Sequence, residues 1–200
     1  MCILQMTLTT KQKIIQASVV LLRSHGYAAF SYADIEKIVG IRKASIHHHF
    51  PSKEDLGREI IELNMLNTVN ILEQIEQTHS SHIQRLNAFA EIFIQSKQDH
   101  LLPLCGALSA EMRVLPESLQ LLTKQYFKLQ LEWLEKTIQQ GVSTQEINRH
   151  GSAKQMTFLF FSFLEGASFI DWVTEDETSI THMRDSINYL ALCFQKTAEA

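Results

Sequence analysis

The sequence predicts an all-α chain, a three-helix head followed by a six-helix body, on three observations. Apolar residues recur at helical spacing along nearly all of the 200 residues, and no stretch shows the strict alternation of a half-buried strand. The prolines, Pro51, Pro103 and Pro116, each stand where the helical pattern restarts. Gly26, Gly40, Gly106, Gly141 and Gly151 read as breaks between segments.

The first helix is expected from about Thr10 to His25, with Ile14, Ala17, Val20 and Leu21 on one face and Gly26 as its stop. Ser31-Tyr32-Ala33-Asp34 then has capping-box form, a hydroxyl for the first free amides and an acid at the third position. The short helix that follows, to Val39, has an apolar side of Ala33, Ile35, Ile38 and Val39. Gly40 closes it, since glycine takes the left-handed conformation a tight turn needs. Another short helix covers Arg42 to His48 and is interrupted at Phe50-Pro51. Ser52-Lys53-Glu54-Asp55 repeats the capping box at the start of a long helix carrying Leu56, Ile60, Leu63, Ile71 and Ile75.

Further helices are expected from about Ile83 to Gln98, Pro103 to Val114 and Pro116 to Gln140, proline being natural at the first turn of the last two. A polar loop at 141–150 leads to Ser152–Val173 and Thr178–Lys196. The head is thus residues 8–50 and the body 51–200.

Charge divides the chain the same way. Through residue 58 there are eight Lys and Arg against four Asp and Glu, a net +4, which leaves −8 for the rest of a chain whose total is −4. A basic head on an acidic body suits a protein whose first segment alone meets phosphate. Cys2, Cys105 and Cys193 are odd in number and far apart, which argues against a disulfide framework and for the cytoplasm. Met1-Cys2-Ile3-Leu4 lacks the basic start of a signal peptide, and no run of about 18 uncharged apolar residues predicts a membrane span.

Two short helices joined at a glycine, after a longer helix and inside a basic segment, form a helix-turn-helix. The second short helix of such a unit enters the DNA major groove, and the first packs across its back. Arg42, Lys43, Ser45, His47 and His48 offer an exposed polar set, and Ala44 is small enough for close packing. Arginine takes guanine bidentately, and lysine takes guanine or phosphate. Lys53 lies at a helix amino terminus, where free amides and the lysine charge both favour phosphate. His47-His48-His49 is no metal site, because consecutive helical residues point some 100° apart.

The residues Phe30-Ser31-Tyr32-Ala33-Asp34-Ile35, Val39-Gly40-Ile41 and Ser45-Ile46-His47-His48-His49-Phe50-Pro51-Ser52-Lys53-Glu54-Asp55-Leu56 resemble the signature of TetR-type regulators, over roughly residues 9–65 with the signature trailing to about 68. The resemblance implies a three-helix DNA-binding head with its helix-turn-helix, plus a six-helix ligand-binding and dimerisation domain. It implies a homodimer on a palindromic double-stranded DNA operator, released by a small-molecule effector, with no cofactor. Ser31 and Lys53 match positions that hold phosphate, and residues 42 to 48 match the recognition helix. Arg42 stands where the family often has a small or hydroxyl residue, and His47 where it usually has tyrosine, so a phenolic phosphate contact is missing or replaced by imidazole.

In the body, Ser152–Val173 is aromatic on nearly every side, with Phe158, Phe160, Phe161, Phe163, Phe169 and Trp172, so neighbours must bury it all round. Small Ser162, Gly166 and Ala167 permit close helix approach. With Ile180, Met183, Ile187, Leu190 and Phe194 of the last helix they compose a candidate four-helix dimer seam. Phe89, Phe93, Cys105, Leu108, Met112, Tyr126, Phe127 and Trp133 supply apolar surface for an effector, although such stripes more often form plain core. Glu111 and Arg113 are candidate polar anchors whose commoner fate is solvation, and Glu165 is either a buried acid or part of a narrow solvated side with Ser162, Ser168 and Asp171. Cys105, in the first turn of its helix with apolar flanks, reads first as a core or pocket thiol. The alternative is a redox or electrophile sensor, of the kind some family members carry in this region.

An enzyme is not expected: there is no phosphate-binding glycine loop, nucleophile elbow or zinc motif. A di-iron bundle needs two Glu-x-x-His pairs, and only Glu76 with His79 fits. A protein-contact adaptor built on the same motif is the remaining alternative, and DNA binding at low salt separates it.

Overall fold

A computed structural model of the chain describes residues 8–149, 151–175, 178, 181–182 and 184–187. Eight helices are assigned among them: α1 (Thr10–His25), α2 (Tyr32–Val39), α3 (Lys43–His49), α4 (Lys53–Thr78), α5 (His82–Gln98), α6 (Leu104–Ala110), α7 (Glu117–Ser143) and α8 (Ala153–Thr174). Residues 181–182 and 184–187 are also helical. Most of the expected segment Thr178–Lys196 lies outside the described residues, as do Cys2 and Cys193.

Local chemistry sets the helix starts. Thr9 accepts from the Gln12 amide while the Gln12 side chain returns to the Thr9 amide at 2.8 Å, and Ser52 with Asp55 and Ser152 with Gln155 repeat the pattern. At α2 the Asp34 carboxylate accepts from both the amide and the hydroxyl of Ser31. Gly40 ends α2 at φ 73°, the left-handed cap that turns the chain into α3. The amino terminus of α5 is capped from a distance. Glu146, in the loop after α7, accepts from the Ser81 hydroxyl and from the amides of His82 and Ile83; burial works to raise its pKa, but these bonds hold it at about 2.

Packing corrects several expectations. Val20 and Leu63 face outward, and in α2 Tyr32 and Ile35 are buried while Ala33 and Ile38 are exposed. Gly106 and Gly141 are not breaks but lie inside α6 and α7, where neighbouring chains approach too closely for a side chain. Helix α6 ends at Ala110 instead of Val114, and Glu111 caps it with its carboxylate turned toward the head.

Two cores result. The first joins Ile14, Leu22, Ile35, Ile46 and Phe50 of the head to Leu56 and Ile60 of α4, Leu104 and Leu108 of α6, and Leu119 of α7. The second lies wholly in the body, among α4, α5, α7 and α8, and takes in Ile187. By length and composition α8 could cross a membrane. Here its Met156, Phe160, Phe161 and Leu164 fill the second core. It is not enclosed on all sides as its composition predicts: Phe158 is 72% exposed, and Leu159, Ile170 and Val173 are exposed with it. Ser162 and Gly166 lie on this open face, and among the described residues nothing stands within 4 Å of where a Gly166 side chain would begin.

Candidate DNA interface and ligand-binding interior

The α2–α3 unit is held as a rigid pair. Ile46 is fully buried against Ile35, and the Tyr32 hydroxyl donates to the Phe50 carbonyl at 2.9 Å, tying the first residue of α2 to the end of α3. Burying the one apolar residue of α3 leaves Arg42, Lys43, Ala44, His47 and His48 exposed and Ser45 half-buried. Ala44 therefore faces outward instead of serving the packing, a task Ile46 performs. Arg42 is the residue at the amino end of α3, and the Lys43 amide donates to Glu36 at 3.2 Å. His47 lies 4.7 Å from the Tyr32 ring, with Nδ1 3.3 Å from the Pro51 carbonyl, so one ring edge is engaged internally. Ser31 is exposed at the start of α2.

Lys53 is more enclosed than its terminal position suggests. Its ammonium donates to the Phe30 carbonyl and reaches Ala28 at 3.5 Å, above the rings of Tyr27 and Phe30. Burial lowers its pKa from the ordinary lysine value, with the charges of Glu111 and Asp34 acting in the opposite direction. An ammonium has three donors. A phosphate would therefore share Lys53 with the α1–α2 loop.

The head is fastened to the body at α6. The Arg23 guanidinium donates to the Leu102 carbonyl at 2.7 Å, and the Leu102 amide returns to the Arg23 carbonyl at 3.3 Å. At the other end of α6 the Glu111 carboxylate accepts from the amides of Tyr27 and Ala28. Gly26 makes room for it: at φ 92° a side chain would be strained and would start 2.9 Å from the Glu111 carboxyl. The residue read as a solvated anchor is thus a head–body fastening, while Arg113 is exposed. Ser118 of α7 similarly donates to Glu54 of α4.

The proposed effector residues are packed, not open. Phe89, Phe93, Cys105, Leu108 and Tyr126 are buried, and Met112 and Phe127 are partly so. Phe89 stacks on Trp133 at 5.7 Å, and Phe89, Phe93 and Phe127 all surround Phe161. Open volume lies beside them. A cleft of about 630 Å³ runs between the end of α5, the 100–103 loop, the second half of α8 and residues 182 and 186, with Phe163, Trp172, Pro103, His100 and the Lys97–Asp171 ion pair in its walls. None of the eight expected effector residues lines it. Sequence reading missed it because its walls come from three segments far apart in the chain, the end of α5 with the following loop, the second half of α8, and residues 182 and 186.

Polar groups meet inside. Gln130 donates to the Cys105 sulfur at 2.9 Å, and the Tyr126 and Thr68 hydroxyls are 3.0 Å apart. Glu165 is the buried acid of its two alternatives: among the described residues neither carboxylate oxygen has a partner, and burial pushes its pKa up to about 7. Burial, then the Glu165 charge, push the Cys105 thiol well above its ordinary value, the Gln130 bond opposing them. A thiol so placed is a poor nucleophile.

Comparison with known proteins places both halves. The family described as "Bacterial regulatory proteins, tetR family" matches residues 14–60, and "Tetracyclin repressor-like, C-terminal domain" matches 83–187. The "Biofilm operon icaADBC HTH-type negative transcriptional regulator IcaR" of Staphylococcus epidermidis is 38% identical over 52 residues, 26% of this chain and 28% of that protein. The "HTH-type transcriptional regulator CymR" of Pseudomonas putida is 40% identical over 47 residues, 24% of this chain and 23% of that protein. The chain thus spans about a quarter of the length of these relatives. Among solved structures, a TetR-family transcriptional regulator from Agrobacterium tumefaciens superposes with TM-score 0.87 at 27% identity, covering 93% of this chain and 97% of that one. One from Legionella pneumophila gives 0.83 at 28%, covering 92% and 98%.

Proposed function

Because this chain belongs to the TetR family of bacterial regulatory proteins, we propose that it is a homodimeric repressor whose head reads a palindromic operator and whose body releases it on binding a small apolar or aromatic effector. The observation that carries this reading is the exposed set Arg42, Lys43, Ala44, His47 and His48 on a helix whose one buried residue, Ile46, locks it to α2. Ser45 lies half-buried beside them, and Ser31 and Lys53 flank the helix as backbone anchors. Phosphate contacts set position and base contacts set sequence, so the two groups have separate tasks. Repression follows the relative from S. epidermidis, which is a negative regulator. The family is one of transcriptional regulators rather than enzymes.

The head of residues 8–50 shares its core with α4, α6 and α7, so movement in the body reaches α3 through packed side chains. The open face of α8 around Phe158, Ser162, Gly166 and Ile170 supports the dimer seam, since an exposed apolar stripe of this kind marks an interaction surface. Ile187 packs into the second core, while Ile180, Met183, Leu190 and Phe194 lie outside the described residues. The effector's place shifts from the packed aromatic core to the adjoining cleft. The redox alternative at Cys105 draws no support from a buried thiol with a raised pKa.

Titrating a fluorescent random-sequence duplex tests the reading. Affinity should fall steeply with salt, and Arg42→Ala with Lys43→Ala should weaken it; binding indifferent to salt and to both changes would leave the adaptor reading instead.

A further inference from the structure

The interior of the body holds a carboxylate that none of the described residues neutralises. Among the described residues, both oxygens of Glu165 are buried without a hydrogen-bond partner, over Gly106 of α6, where a side chain would start 2.7 Å from Oε2. The two groups that feel its charge do not serve as partners: the Cys105 sulfur accepts from Gln130, and the Tyr126 hydroxyl is engaged with Thr68. An isolated ionised carboxylate in such a place costs several kcal/mol. A buried polar group left unsatisfied in this way calls for an explanation, and a ligand that arrives later is one.

The position of Glu165 says which ligand. Ser168 and Trp172, three and seven residues on, share its side of α8, and both line the cleft. Pro103, at the head of the helix that carries Gly106, lines it too. The carboxylate itself is not part of the lining; it lies buried one helical turn behind Ser168, beside a space of about 630 Å³ that is within the range of a drug-sized site and has Phe163 and Trp172 as aromatic walls. A metal ion does not fit: among the described residues no three His, Cys, Asp or Glu side chains gather.

We propose that the effector is an organic cation, its apolar or aromatic body seated in this cleft and its charged nitrogen paired with the Glu165 carboxylate. This rests on the effector reading above and adds the charge of the ligand. Seating the nitrogen draws the carboxylate away from Gly106 of α6, the helix flanked by the Leu102–Arg23 bonds and the Glu111 bonds to the Tyr27 and Ala28 amides, so the ligand acts on the element that fastens the head. Ligand charge and release of the head are then one event.

The test uses naphthylmethyl and phenylbutyl compounds ending in a primary ammonium, a trimethylammonium, a hydroxyl or a carboxylate, titrated at pH 8 into the full-length protein by tryptophan fluorescence and melting temperature. The ammonium forms should bind about tenfold or more tighter than the hydroxyl forms. Glu165→Gln, which keeps the shape of the neutral acid, should erase that preference, and Glu165→Asp should keep most of it. Tightest binding by the hydroxyl or carboxylate forms, or a preference unchanged in Glu165→Gln, overturns the inference while leaving the effector reading in place. Binding by no member of the series counts against both.

Discussion

The carboxylate of Glu111 and the amide of Tyr27, 84 residues apart in sequence, are joined by a hydrogen bond that links the end of α6 to the loop between α1 and α2. Because Ala28 donates to the same carboxylate, one side chain gathers two backbone groups of the head. Such charge-assisted bonds are about twice as strong as neutral ones.

Glu111→Ala should therefore lower stability by about 1–3 kcal/mol, since two amides lose their acceptor. The more telling expectation concerns coupling: the variant should bind duplex DNA while responding less to any releasing ligand. Calorimetry and anisotropy with and without ligand check the two effects separately. An undiminished ligand response would place the coupling elsewhere.

Glu165 gives stability a pH dependence. Its folded pKa, about 7, lies above the ordinary 4.5, so its contribution is fully present below about 4.5 and is lost as pH rises through 7. Glu165→Gln should remove this loss and be more stable than the unmodified protein at pH 8, by on the order of 2–3 kcal/mol. Denaturant midpoints at pH 5 and pH 8 measure it. Equal midpoints for the two proteins at pH 8 would show that the acid is solvated.

Anchoring and reading should separate by mutation. Lys53→Ala removes a positive charge beside the head, at the start of α4, and is expected to weaken binding to all duplexes alike, reducing the salt slope by about one unit. Because Lys53 also holds the Phe30 carbonyl, a modest loss of stability should accompany it. Arg42→Ala or Lys43→Ala should cost about 1–3 kcal/mol on the preferred site and relax base choice there. A change of preferred sequence in Lys53→Ala would reverse the assignment.

The seam makes its own prediction. Among the described residues nothing lies near a side chain added at Gly166, so Gly166→Leu should leave the protomer folded. It should nevertheless weaken the dimer if α8 packs on its counterpart. Light scattering across a dilution series distinguishes the outcomes, and an unchanged dimer would move the seam off this face.

What could be read from the sequence was local. The starts of α2 and α4 follow from Ser31 with Asp34 and Ser52 with Asp55, and the turn between α2 and α3 from Gly40, because each signal acts within a few residues. The exposed positions of α3 followed from the same spacing. Ala44 and Ile38 were misjudged because small or apolar residues are also common on surfaces. Glu111 and Glu165 could not be placed, since their environments depend on α1 and α6 packing against them from far along the chain. The packing of the effector candidates was hidden for a related reason: an aromatic stripe looks alike whether it surrounds a ligand or, as with Phe89, Phe93 and Phe127, closes on Phe161.

The central claim, that two copies of this head read DNA sequence through α3, is tested most directly by selecting bound duplexes from a random pool with the purified protein. The account predicts enrichment of a palindrome with half-sites about one helical turn or slightly more apart, and loss of preference within the half-site in Arg42→Ala or Lys43→Ala. A pool that emerges unenriched, or an enriched site without two-fold symmetry, would contradict it.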